Sequence, residues 1–148
     1  MINIEISDDC QEKIKKFRFS NSKKSNAIIL TIGKDLKLNV EKEINDLDFE
    51  DLKDEFSFLP FYLLISYELI MSDRKTYPYC LIFYSPSGGP QDSLFLHSCC
   101  LSKIQASTNA TKIFELKDPE EFSEEWLSKQ IQGLKRTISK LALYSGPH

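Results

Sequence analysis

Apolar positions recur along this chain in two rhythms, one helical and one typical of buried strands. Ile6, Cys10, Ile14 and Phe17 fall four, four and three apart, drawing one apolar stripe along a helix that ends near Arg18. Ser7 or Asp8 is its expected cap, with Asp8, Asp9 and Glu12 at the positive end of the helix dipole and Lys13, Lys15, Lys16 and Arg18 at the other. After the polar loop SNSKKSN, residues 27–32 (AIILTI) predict a buried strand and residues 33–35 a turn. Leu36, Leu38 and Val40 alternate with polar residues and predict a half-exposed second strand. Leu47, Phe49, Leu52 and Phe56 fit a short helix.

The richest stretch is 59–86, LPFYLLISYELIMSDRKTYPYCLIFYSP. Neither of its apolar-aromatic runs alternates cleanly, as in central strands covered on both faces. The SDRK link between them predicts a long hairpin, with Pro78 near the start of the second strand or at a bulge. SPSGGPQD is a dense turn signal. Pro90 is then expected in the first turn of a long helix reaching about 107, with Leu94, Phe95, Leu101 and Ile104 as its core face. KIFEL at 112–116 predicts one more strand, and Asp118 is expected to cap a final helix carrying Phe122, Trp126, Leu127 and Ile131. The fold class this order predicts is α/β (mixed α+β): a single domain with a five- to six-stranded mixed sheet sandwiched by helices. Its bounds are taken as 1–132. Residues 133–148 form a helical extension, in which Leu134, Ile138 and Leu141 keep the spacing, or a tail.

Composition narrows the function classes. A net charge of −3 argues against nucleic acid, and no apolar run reaches membrane-spanning length. The start, MINIEISDDCQEK, is too acidic and polar for a secretory signal, so a soluble intracellular protein is expected. Cys10, Cys80, Cys99 and Cys100 show neither CxxC nor paired histidine spacing, which predicts reduced thiols and no metal site. His97 and His148 are the only histidines, and no nucleophile motif accompanies them; Gly88-Gly89-Pro90 is a turn, not a phosphate loop. No catalysis and no cofactor are expected.

Five strings, KIKKFRF (13–19), LKDE (52–55), TYPYCLIFYSP (76–86), TKIFEL (111–116) and EEWL (124–127), stand in an order that resembles the actin-depolymerising-factor homology family, and within it the glia maturation factors. The resemblance runs to about Ile131. It implies a cofilin-like domain that binds the actin-related protein 2/3 complex, promotes filament debranching and inhibits branch nucleation, as a monomer in the cytoplasm and cortical actin cytoskeleton, with the nucleus also open to it. The family docks its long helix, here about 90–107, and its N-terminal segment, here about 4–9 with Ser7, into the barbed-end groove of an actin-like subunit. A second, basic surface maps onto Lys15, Lys16 and Arg18. The polar positions of the long helix, Ser93, His97, Cys100 and Lys103, are the expected contacts on its outer face. Actin-binding members carry lysines at the start of that helix, whereas this chain has no lysine or arginine between Lys75 and Lys103. Phe61, His97 and Leu101 stand where the family usually has arginine, tyrosine and lysine. The alternative reading is a cofilin- or coactosin-type module acting on actin directly.

Overall fold

The structure is a computed structural model that describes residues 2–20 and 23–133. Helix α1 (Asp8–Arg18) begins where the Ser7 hydroxyl accepts the Cys10 amide at 3.1 Å, so Ser7 is its cap. Strands β1 (Asn26–Ile32) and β2 (Leu38–Ile44) follow, then the short helix α2 (Phe49–Leu52) and a 3-10 turn (Lys53–Glu55). The chain continues through β3 (Phe61–Ser66), β4 (Leu69–Ile70), β5 (Lys75–Thr76) and β6 (Tyr79–Tyr84). It then enters helices α3 (Gln91–Cys99) and α4 (Leu101–Thr108), strand β7 (Lys112–Leu116), a 3-10 turn (Pro119–Glu121) and a last helix, α5, over 124–133.

Five strands form one sheet in the order β2-β1-β3-β6-β7. The first three pairings are antiparallel and the last, β6 with β7, is parallel. A parallel neighbour cannot be reached by a tight turn, so the chain crosses over the sheet between β6 and β7; α3 and α4 are that crossover.

Alternate strand residues feed two apolar layers, as period-two geometry requires. Ala27, Ile29, Leu63, Ile65, Cys80, Ile82 and Phe114 face α2 and α5, where Phe49, Leu52, Phe122, Leu127 and Ile131 close the layer. Ile28, Leu30, Tyr62, Leu64, Leu81 and Phe83 face the other way, onto Ile4, Cys10, Ile14 and Ile104. That two-sided burial explains why neither central run alternates.

Several sequence expectations shift. The hairpin core is β3 with β6, but its tip is the separate β4–β5 pair, which turns at Met71–Arg74, where the Met71 amide donates to the Arg74 carbonyl. Pro78 does sit just before β6, and its carbonyl accepts the Tyr67 amide. Leu36 belongs to the β1–β2 turn at φ 61° and is exposed, so β2 begins at Leu38. Pro90 is the residue before α3 with extended backbone, not part of its first turn. Asp118 caps the 3-10 turn, and the Ser123 hydroxyl instead caps α5 by accepting the Trp126 amide. Trp126 is only half-buried, edge-on to Phe114.

The long helix is two helices. Its break is at Cys100 (φ −92°, ψ 0°), whose amide reaches the carbonyls of both Leu96 and Ser98. Just before the break, the His97 carbonyl accepts the buried Tyr62 hydroxyl at 2.6 Å, which draws that turn toward the sheet. α4 stops at Asn109, whose left-handed φ of 58° ends the ladder. The expected extension through Leu134, Ile138 and Leu141, and His148, lie outside the described residues.

Candidate functional site

The N-terminal segment, α1 and α4 lie side by side. Ile4 is buried in the second apolar layer, and Glu5 forms an isolated parallel bridge with Lys37. Its amide donates to the Leu36 carbonyl at 2.8 Å and its carbonyl accepts the Leu38 amide at 2.9 Å. On the segment's other side, the Lys103 ammonium donates to the Ile4 carbonyl at 2.6 Å and to Asn3 Oδ1 at 3.2 Å. At the far end of α4, Ser107, Thr108 and Asn109 share a groove of about 560 Å³ with Gln11, Lys15 and Arg18 of α1 and with Phe19 just after it.

The basic cluster at the end of α1 therefore divides. Lys15 and Arg18 are exposed beside α4, with the Arg18 guanidinium 4.8 Å from the Phe19 ring centroid. Lys13 and Lys16 line a separate groove of about 400 Å³ with Phe17, Asn26 and Glu43, toward the sheet edge. A helix turns about 100° per residue, so basic residues two apart cannot share a face.

The crossover helices depart further from expectation. His97 and Cys100, placed on the outer face by the sequence reading, are 2% and 3% exposed. The inner stripe of α3–α4 is His97, Cys100, Ile104 and Thr108, spaced three, four and four, all buried. Phe95, assigned to the core, is instead 65% exposed. It is two positions from the buried His97 and so points to nearly the opposite side of the helix. Spacing measured from His97 and Cys100, rather than from the apolar residues alone, would have found this stripe.

His97 is a structural bolt. The Ile32 amide donates to its Nε2 at 3.2 Å, so Nδ1 carries the proton and donates to the Ser93 carbonyl at 2.7 Å. Burial pushes its pKa below the ordinary value, partly opposed by the Ser93 bond. Burial likewise drives the Tyr62 hydroxyl far above its usual range and raises Cys100. Ser93 is half-buried and contributes its carbonyl to this bolt. Lys103 is exposed but committed to the N-terminal segment, and Ser7 is exposed at its capping position.

What remains outward on α3 carries no lysine or arginine and is partly apolar, with Asp92 exposed in its first turn. Phe95, Leu94, Pro86 and Phe83 line a groove of about 350 Å³, which Glu115 and Lys117 of the β7 region bound on the far side. Ser85 Oγ on its wall is buried with no hydrogen-bond partner among the described residues. Phe58 and Leu59 are also exposed, on the loop before β3, where the Phe58 carbonyl packs so close to Gly89 that a Cβ there would lie 2.5 Å from it. Of the thiols, Cys10, Cys80 and Cys100 are buried and only Cys99 is exposed; all four are free. Among the described residues no group of three or more His, Cys, Asp or Glu is placed to hold a metal ion. No helix among them is long and apolar enough to cross a membrane.

Residues 3–132 match the model of the family described as cofilin/tropomyosin-type actin-binding protein. The chain is 31% identical over 131 residues to the glia maturation factor of Drosophila melanogaster, covering 86% of this chain and 95% of that protein. It is 32% identical over 134 residues to glia maturation factor beta of Homo sapiens, covering 88% and 94%. The solution structure of glia maturation factor from Caenorhabditis elegans superposes with a TM-score of 0.76 at 33% identity, covering 87% of this chain and 96% of that one. Actin depolymerization factor 2 of Plasmodium berghei reaches the same TM-score at 17% identity, over 89% of this chain and 99% of that one, a likeness of fold alone.

Proposed function

Because the chain belongs to the cofilin/tropomyosin-type actin-binding family, among its glia maturation factors, we propose that it acts on the actin-related protein 2/3 complex, promoting loss of filament branches and inhibiting new branch nucleation. The observation that carries this reading over direct action on actin is the character of α3. The stretch from Lys75 to Lys103 has no cation between its ends, and the helix turns the exposed ring of Phe95 outward. α3 itself offers no cation to an acidic groove, and Lys117 at the rim is paired with Glu115, whereas the exposed ring suits an apolar contact with an aliphatic-lined groove. The N-terminal segment with α4 would complete that contact, and Lys15 and Arg18 would form the second, basic one. In this proposal the protein works by binding, without a catalytic step or cofactor, as a monomer in the cytoplasm at the cortical actin network.

The test is branch dissociation on preformed branched networks, watched filament by filament with purified protein. Faster branch loss with mother filaments intact is the expected result. Severing or depolymerisation without selective branch loss would place the chain with the cofilin type.

A further inference from the structure

Lys103 was expected to touch the partner, yet its ammonium already makes two hydrogen bonds to this chain. At 2.6 Å the bond to the Ile4 carbonyl is short and charge-assisted, and a second bond reaches Asn3 Oδ1 at 3.2 Å. These bonds join residues nearly a hundred positions apart in sequence, and they meet the N-terminal segment on the side opposite its bridge to Lys37. The segment has few other attachments. Only Ile4 is buried, and the ion pair between Lys37 and Glu5 is exposed and long at 3.8 Å. Chain termini stay ordered only when tied down in this way.

We infer that Lys103 is a positioning residue, a latch that holds residues 3–6 against α4 so that the segment and the helix present one preformed surface. The ammonium caps the Ile4 carbonyl, which neither the Glu5 bridge nor a helix satisfies. With the latch open, the segment keeps the Glu5 bridge, the buried Ile4 side chain and the Gln11 bond to the Ile6 carbonyl but loses its tie to α4, and part of the ordering entropy then falls on the binding step. The second part of this inference rests on the function proposed above; the latch itself does not.

Two readouts separate the latch from a direct contact. Amide hydrogen exchange in the free protein follows the Glu5 and Leu38 amides, the two donors of the bridge. In Lys103→Met these should exchange about tenfold faster while β3 and β6 amides are unchanged, since only local opening is affected. Lys103→Arg, which keeps a long cationic donor, should restore protection. Branch dissociation should fall in Lys103→Met and recover in Lys103→Arg. Unchanged Glu5 and Leu38 protection in Lys103→Met would overturn the latch, whether or not activity is lost; lost activity with unchanged protection would mark Lys103 as a partner contact. If the wild-type protein does not debranch, the functional proposal fails, and the exchange data still decide the latch.

Discussion

Lys16 and Arg18 stand two positions apart on α1 and reach different grooves, so they can be tested separately. Arg18 shares its groove with Lys15 and the end of α4, while Lys16 faces Asn26 and Glu43. If the basic surface belongs with the α4 side, Arg18→Ala should slow branch dissociation by roughly fivefold and Lys16→Ala far less. Both side chains are exposed, so each melting temperature should stay within about 2 °C of wild type. A large fall in melting temperature for Arg18→Ala would instead assign it a structural role, through its stacking on Phe19. Neither outcome could be ranked from sequence, because the string KIKKFR gives the composition of a basic helix end without saying which groove each side chain enters.

At the scale of elements, α3 is fixed to the sheet by hydrogen bonds that meet on His97: from the Ile32 amide of β1 and the Tyr62 hydroxyl of β3. The imidazole must be neutral for Nε2 to accept, and its folded pKa is lowered by burial. The unfolded chain therefore takes up a proton near the ordinary value of about 6.5 that the folded form refuses. Stability from this residue is complete above that pH, declines as the pH falls below it, and levels off below the depressed folded value. Urea midpoints measured from pH 7.5 to pH 5 should fall in the wild type, and part of that slope should vanish in His97→Gln. An identical slope in both would mean that His97 does not titrate this way. Elements set by strong periodicity were legible beforehand: α1 with its Ser7 cap, β1, β7 and the β3–β6 pairing. The α3–α4 break was not, because its cause is a tertiary bond from Tyr62, thirty-five residues earlier. Phe95 and His97 were exchanged between surface and core for a related reason. Hydrophobicity ranks Phe inward and His outward, but a histidine satisfied at both ring nitrogens is as easily buried as an apolar residue.

For the whole molecule, charge gives a direct check on the partner. With a net charge of −3 and no cation on the outward part of α3, binding to filamentous actin through α3 has no electrostatic aid. Co-sedimentation with filamentous actin at physiological salt should be negligible. Robust pelleting there, weakening steeply as salt rises, would reveal a charge-driven grip and favour the cofilin type. The sheet carries a further consequence, for the order of folding. β1, β2, β3 and β6 pair through antiparallel neighbours, but β7 joins only after the chain has travelled the whole α3–α4 crossover from Tyr84 to Lys112. Closing that long connection is the entropically slow step, so β7 and the crossover should be little formed in the transition state. A partner seated on α3–α4 would then grip the last part to assemble and the first to come away. Its effect should appear as slower unfolding of the bound protein, with the rate of folding almost untouched.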